Sequence, residues 1–295
     1  MVVSRLGDLH WTLDLLSHFH VQYLGLAIGS LSVAIAARAW WGAGAAMVVA
    51  MAAGWQVAPL WRAPAGEAEV GEPDARLVAV NVLSSNREHG EVIGWLLEQE
   101  ADVLVVQEVN AVWAAALDTS LRGYRRIPTD TLRADNFGMA IYLSESWQAE
   151  EPVVHSTDLG LPWIEVVIHR GTVDLRVMGV HTIPPVRRSN YRSRNEQLLR
   201  AAEFVRGSSE PAVIAGDFNA TIWSSAMRPI LDEGRLRPAC LGHGIIGSWH
   251  SRLLWTGGIL IDQVLVDDRL SVQSHTVGPH VGSDHRGIVV DLRIR

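Results

Sequence analysis

Hydrophobic positions fall in two different textures along the chain. From Val21 to Leu60 the sequence is almost continuously apolar, and its only charge is Arg38. Val21–Ala37 supplies 17 uncharged residues and Ala39–Trp61 supplies 23, each enough to cross a hydrocarbon layer about 30 Å thick. Arg38, Trp40 and Trp41 sit between these runs, and Trp55, Trp61 and Arg62 sit at the far end, where interfacial residues belong. Gly25 and Gly29, then Ala46, Ala50 and Gly54, recur every four positions, a spacing that lets helices approach closely. The pattern predicts a transmembrane hairpin with helices over about 21–37 and 39–61. Two alternatives compete. A cleaved signal peptide needs a basic start and a shorter apolar core, and a buried soluble hairpin would normally keep a charged face. Ahead of the hairpin, Leu9–Phe19 mixes Trp11, Leu13, Leu15, Leu16 and Phe19 with Asp14 and two histidines. It reads as an interfacial helix or as the entry to the first span.

After a linker at 63–75, rich in Ala, Gly, Pro and Glu, short strand-like runs alternate with amphipathic segments. Strands are expected over Arg76–Leu83, Asp102–Gln107, Gly138–Leu143, Trp163–His169, Val173–His181, Pro211–Ala215, Ile259–Val266, Leu270–Val277 and Gly287–Ile294. Ser85–Glu88 reads as a capping box opening a helix to about Glu100. Asn110 can cap a helix through Leu117. Ser189–Arg206, with Ser189 as cap, and Ser224–Glu233 read as further helices. Three strands look apolar on both faces, so both faces are expected to be covered. Strands outnumber helices, which fits two packed sheets flanked by helices better than one doubly wound sheet. The division is therefore an anchor at 1–62, a linker at 63–75 and a globular domain at 76–295.

Composition sharpens this division. The 295 residues are 48% hydrophobic and 19% charged, with net charge -7. Every basic side chain other than histidine is Arg. Residues 1–75 hold three Arg and six acids, which leaves the globular part mildly acidic at -4. That balance excludes disorder and argues against a generic polyanion binder. The single cysteine, Cys240, reads as a small core residue. It excludes an intramolecular disulfide and a cysteine-based metal cluster. A chain beginning near Asp74 is expected to be soluble.

Polar residues interrupt the ends of apolar strands. Asn81 lies inside VAVNVL, Glu108 follows DVLVVQ, His181 ends LRVMGVH, Asp217 and Asn219 follow AVIAG, and Asp262 lies inside ILIDQVLV. Ser283, Asp284 and His285 precede the last strand. Such groups are costly to bury without partners, so the placement suggests a site. Each also has a plainer reading, as a cap, a turn residue or a strand-end hydrogen bonder. Arg187, Arg188, Arg192 and Arg194 cluster after the Pro184-Pro185 turn, where they could meet phosphates or simply form a solvated helix start. Trp223 follows the Asp217 motif and could line the site or pack in the core. Trp249 and Trp255 could border a pocket, while His243 and His250 read as surface residues.

The motifs NVL, QEV, the strand-end His, GDFN, IDQVLV and GSDH occur in the order typical of the endonuclease/exonuclease/phosphatase superfamily. Over about Arg76–Arg295 the chain resembles deoxyribonuclease I-like members, and its N-terminal part resembles a bacterial branch with membrane helices. The resemblance implies an α/β (α+β) fold, a four-layer α/β/β/α sandwich preceded by the hairpin. It implies a metal-dependent hydrolase of phosphoric ester bonds. Glu108, with Asn81 beside it, and Asp284 would serve the metal, Mg²⁺ or alternatively Mn²⁺, since hard oxygen ligands suit it. Asp217 would activate water, Asn219 and His181 would donate to phosphoryl oxygens, and His285 would act in acid–base transfer or phosphate binding, held by Asp262. Arg187, Arg188 and Trp223 are candidate substrate contacts. The partner would be a phosphate-ester substrate, whether lipid, nucleic acid or small molecule, together with a membrane. The resemblance places the protein in the bacterial inner membrane as a multi-pass protein with an extracytoplasmic catalytic domain. A nuclease and a non-catalytic binding module on the same fold are the alternatives.

Overall fold

The computed structural model describes Gly7 and residues 10–64, 71–233, 235–245, 247–249 and 258–295. In chain order the elements are α1 (Trp11–Leu16), α2 (His20–Ala36), α3 (Trp40–Val57), β1 (Ala75–Asn81), α4 (His89–Glu98), β2 (Val103–Gln107), α5 (Ala111–Ser120), β3 (Tyr124–Ile127) and β4 (Met139–Ser144). They continue with β5 (Gln148–Ala149), β6 (Val153–Ser156), β7 (Pro162–Arg170), β8 (Val173–His181), α6 (Arg188–Arg206), β9 (Ala212–Asp217) and α7 (Met227–Glu233). The last are β10 (Leu236–Pro238), β11 (Asp262–Asp267), β12 (Leu270–Val277) and β13 (Ile288–Ile294).

Two sheets carry the fold. One has the order β12-β13-β1-β2-β4-β3; the other runs β10-β11-β9-β8-β7-β5, with β6 also on β7. Period-two alternation sorts their side chains. Leu77 and Ala79 of β1, Val105 of β2, Val177 of β8 and Val213 of β9 fill the core between the sheets. Val78 and Val80 instead meet Trp95 of α4 and Trp113 of α5. On the other outer face Met178, Val180 and Ile214 meet Leu198 and Ala202 of α6. Both faces of the central strands are therefore buried, as the valine runs require. This is the four-layer sandwich expected from the sequence.

At the centre of each sheet lies a parallel pair, β1 with β2 and β8 with β9; the other paired strands run antiparallel. A parallel pair needs a crossover, which α4 supplies for the first and α6 for the second. Register sets Asn81 opposite Gln107, His181 opposite Asp217, and Asp217 opposite Asp262. The polar strand ends thus gather at one edge of the sandwich.

Several local expectations change. No capping box forms at Ser85–Glu88: helix α4 starts at His89, and its cap Glu88 makes no side-chain capping bond. Asn86 uses its side chain in a turn instead, accepting from Glu88 N. Arg187, in extended conformation and without a side-chain capping bond, takes the N-cap position of α6 in place of Ser189, whose hydroxyl turns to Asn190. Asn110 does cap α5, accepting from Val112 and Trp113 N–H. The short edge strands β3, β5, β6 and β10 lack the length to register as periodic runs.

Helices α2 and α3 lie antiparallel: Ala34 faces Gly42 at the turn, and Leu24 faces Gly54 near the base. The helical stretches 11–36 and 40–61 are long and apolar enough to cross a membrane, and only 11% and 22% of their most apolar windows are buried. A soluble core helix would be mostly buried. The hairpin base is different: Val57 and Leu60 are fully buried with Trp223, Cys240 and Leu260. Trp223 Nε1–H donates to Gln56 O at 2.9 Å and Gln22 donates to Gly258 O at 2.7 Å. The segment ahead of the hairpin folds back onto the sandwich as α1, with Asp14 fully buried.

Candidate active site

Asp217 sits at the centre of the gathered strand ends. Its Oδ2 accepts from Asn81 Nδ2 at 3.3 Å and lies 3.6 Å from His181 Nε2 and 3.7 Å from His285 Nε2. Its Oδ1 accepts from Asn219 N at 2.9 Å. His285 Nδ1–H donates to Asp262 Oδ2 at 2.8 Å, so Asp262 fixes the tautomer that turns Nε2 toward Asp217. Glu108 lies beside them. Its Oε1 accepts from Asn81 Nδ2 at 3.1 Å, and its Oε2 accepts from Ser84 N and Ser84 Oγ at 2.9 and 3.0 Å. Asn81 gives its carbonyl oxygen to Leu83 N at 3.0 Å, so its amide braces both carboxylates as a donor. Asn81, expected beside Glu108, lies within hydrogen-bond reach of both Glu108 and Asp217.

Backbone geometry holds these groups in place. Glu108 and Asn219 both adopt positive φ, 61° and 45°, an uncommon conformation for such residues. Gly216 stands at φ 141° ahead of Asp217, where a side chain would strike Val180 O across the parallel pair. Ser283 Oγ donates to Asn81 O at 2.7 Å and accepts from His285 N at 3.0 Å, tying the last loop to β1.

Burial and charge shift the titrations. Burial pushes His181 down to about 3, reinforced by His285, so it stays neutral at ordinary pH. Burial also raises the Asp217 carboxyl, with Asp262 adding to the rise against the pull of His285. For His285 burial acts downward, but the Asp262 and Asp217 carboxylates outweigh it and raise its affinity for a proton. A neutral donor, a basic carboxylate and a cationic imidazole therefore share one space.

Glu108, His181, Asp217, Asn219, Asp284 and His285 line the floor of a cavity of about 590 Å³. Asn81 and Asp262 stand just behind them. Asp284 Oδ2 accepts from Trp249 Nε1 at 3.1 Å, while its Oδ1 is buried without a hydrogen-bond partner. Other sequence candidates lie elsewhere. Arg187 and Arg188 are exposed at the start of α6 and outside the lining. Trp223 is buried against the hairpin base, its ring 5.1 Å from His20, and does not reach the cavity. Arg194 is fully buried, paired with Asp14 at 2.7 Å and donating to Asn219 O at 2.9 Å, and so belongs to the scaffold behind the site. Trp249 does border the cavity; Trp255 and His250 lie outside the described residues. Ser283 already stands beside Asp284 and His285 in the sequence pattern, whereas nothing in that pattern marks Ser84, or places Leu15, His18, Phe19 and Phe137 in the cavity wall.

The donor set suits a divalent cation. Glu108 and Asp284 offer hard oxygens, and the orphaned Asp284 Oδ1 lacks the partner a buried carboxylate oxygen needs. Asp217, Asp262 and His285 also bring ligand atoms within 4.8 Å of one another and could hold a metal ion.

The sequence model of the Endonuclease/Exonuclease/phosphatase family matches residues 78–285, more than half of the chain. The chain belongs to this family. The family includes metal-dependent phosphoesterases and nucleases, and its members typically use a divalent metal. Solved structures of the same fold include an endonuclease/exonuclease/phosphatase from Bacteroides vulgatus, 17% identical, with TM-score 0.62 over 75% of this chain and 99% of that one. The D. rerio TDP2 complex with a single-strand DNA product is 13% identical, with TM-score 0.61 over 74% of this chain and 98% of that one. The human Nocturnin catalytic domain with bound sulfate is 15% identical, with TM-score 0.59 over 76% of this chain and 96% of that one. No curated protein matches the chain by sequence.

Proposed function

We propose that this protein is a membrane-anchored, Mg²⁺-dependent phosphoesterase that cleaves a phosphodiester or phosphomonoester by in-line attack of water. The observation that carries this reading is the convergence of Asp217, His285–Asp262 and Glu108 on one cavity floor. Asp217, its basicity raised by burial, takes a proton from the attacking water. The water oxygen bonds to phosphorus as the ester P–O bond breaks, and the departing oxygen takes that bond's electron pair and a proton from solvent to leave as the alcohol. Neutral His181 and the Asn219 amide donate to phosphoryl oxygens, and cationic His285, held by Asp262, stabilises the added negative charge. Glu108 and Asp284 would hold the metal, with Asn81 and Ser84 orienting Glu108. When bound, that ion supplies positive charge to the phosphoryl oxygens.

The anchor reading draws support from the burial of Asp14, Val57 and Leu60 against the sandwich, because removing the segment as a signal peptide would strip those partners. We assign 1–62 to the anchor, 63–75 to the linker and 76–295 to the catalytic domain, with that domain on the extracytoplasmic side. A second reading, a nuclease, is favoured by the exposed Arg187 and Arg188 beside Val186 at the cavity rim. The test is a substrate panel on the full-length protein, covering single-stranded and duplex DNA, sphingomyelin, phosphatidylinositol and inositol phosphates, each with Mg²⁺ and with EDTA. Metal-dependent release of product from any of these supports a phosphoesterase. Inertness toward all of them, with phosphate esters still bound, favours the binding module.

A further inference from the structure

The cavity's lower half is built by strand ends, but part of its wall comes from the other end of the chain. Leu15, His18 and Phe19 line it together with Val186, Phe137 and Ile259. Phe19 is the residue immediately before α2. At 1.5 Å per residue, the exposed Leu26, seven residues on, lies about 10 Å along the helix from it. No Asp, Glu, Lys or Arg intervenes between Phe19 and Leu26. Val186, 62% exposed, carries the apolar lining outward. Phe19 therefore joins the cavity wall directly to the first turn of the first apolar helix.

The cavity's charges are all at its floor or acidic. Among the described residues no arginine lines it, and the charged side chains that do are Glu108, Asp135, Asp217 and Asp284, with His285 opposite Asp217. A polyanion such as a nucleic-acid strand needs cationic contacts for several successive phosphates. This cavity offers a phosphate-sized polar floor and an apolar flank.

We infer that the substrate is an amphiphilic phosphate ester, its phosphate on the Asp217–His285 floor and its hydrocarbon chain along Leu15, Phe19 and Val186 toward α2. The inference rests on the phosphoesterase reading and names its substrate class. It gives the anchor a second use. The hairpin retains the protein at a bilayer and also forms the side of the site through which a lipid chain enters.

The experiment uses full-length protein in one fixed detergent with Mg²⁺ and alkyl 4-nitrophenyl phosphodiesters, the alkyl group lengthening from methyl to octyl. Water adds its oxygen to phosphorus, and 4-nitrophenolate leaves with the electron pair of the broken P–O bond. The expected result is a kcat/KM that climbs with chain length, by up to about fourfold per methylene fully buried. Val186→Asp, on an exposed residue with little folding cost, should cut the octyl-to-methyl ratio by about tenfold, the worth of one apolar side-chain contact. Phe19→Ser should do the same, with its thermal melt checking that it folds. Because detergent partitioning of the esters is the same for every variant, that drop isolates the wall. A flat chain-length profile with the methyl ester still turned over, an unchanged ratio in Val186→Asp, or faster cleavage of single-stranded DNA than of the octyl ester would overturn the inference and leave the phosphoesterase reading standing. Inertness toward every ester and toward DNA would remove the phosphoesterase reading itself, and the inference with it.

Discussion

Asp14 and Arg194, 180 residues apart, form an ion pair of 2.7 Å in which both side chains are fully buried. Asp14 also accepts from Ser224 Oγ at 2.9 Å and Ser225 N at 2.7 Å, and Arg194 passes the connection on to Asn219 O at 2.9 Å. The segment ahead of the apolar hairpin is thereby locked to the loop that carries Asn219. Removing one member strands a buried charge. Asp14→Ala should cost about 3–5 kcal/mol of stability, measured by denaturant unfolding in a fixed detergent. Replacing both residues with apolar side chains of similar volume should recover much of it, because well-packed apolar substitutes for a buried pair are often neutral. A loss below about 1 kcal/mol in the single variant would show that water reaches the pair.

Truncation tests the same relationship on a larger scale. The composition of residues 74–295 suggests a soluble domain, whereas the buried contacts made by the preceding segment lead to a different prediction. A chain beginning at Asp74 loses Asp14 and the buried Val57 and Leu60, leaving Arg194 bare and Trp223, Cys240 and Leu260 uncovered. It should be less soluble and melt lower than the full chain in detergent. Equal melting temperatures would show that the N-terminal segment contributes nothing to the sandwich.

Much of this was legible in the sequence because it is local. The near-continuous apolar runs of β1, β2 and β9 and the apolar half of β8 announce buried strands, and the polar residues that end them announce a site. Asn110, a strong capper followed by an apolar helix, was equally plain. The remainder depends on long-range meetings. Arg194 reads as one of four clustered arginines until Asp14 arrives from the far end of the chain. Trp223 sits four residues past Asn219, yet the hairpin base claims its ring and its N–H. Ser84 and Ser283 are ordinary loop serines whose roles exist only once β1, β2 and the last loop are brought together. Leu15 and Phe19 look like membrane-entry residues, and only the fold-back of α1 turns them into cavity wall.

The His285–Asp262 pair makes a claim about proton position. Asp262→Asn removes the carboxylate that holds His285 Nδ1–H and helps keep the ring cationic. Catalysis should fall by about 10²–10⁴-fold, as should Asp217→Asn through loss of the base. The double variant should be little worse than the poorer single one, because residues acting as one unit are not additive. Steady-state kinetics on the best substrate of the panel checks this. Full additivity would place the two carboxylates in separate steps.

Metal dependence should separate Glu108 from its braces. EDTA should abolish turnover, and added Mg²⁺ should restore it. Glu108→Gln should leave activity unrescued at any practical Mg²⁺ concentration. Ser84→Ala, which removes only one of the bonds orienting Glu108, should raise the Mg²⁺ requirement by about 10–100-fold, the usual worth of an orienting partner. Isothermal titration of Mg²⁺ into each variant reads the same order independently of turnover. An unchanged Mg²⁺ requirement in Ser84→Ala would move the metal away from Glu108.

Buried histidines set the acid limit of stability. Burial pushes His275 in β12 down to about 3, helped by His243 beside it, and its Nδ1 is buried without a partner. His181 is pushed to a similar value. Both are neutral in the folded state, while an unfolded histidine takes a proton near 6.5. The unfolded state therefore binds more protons between pH 6.5 and about 3, and stability falls as pH drops through that window. Each histidine contributes a slope of up to about 1.4 kcal/mol per pH unit. His275→Phe removes one of these groups and keeps an aromatic ring. It should flatten the acid limb of unfolding free energy by about that amount while leaving stability above pH 7 within about 1.5 kcal/mol of the original. Denaturant titrations at pH 4.5, 5.5, 6.5 and 7.5 would measure both slopes, and parallel acid limbs would mean that His275 is reached by water in the folded protein.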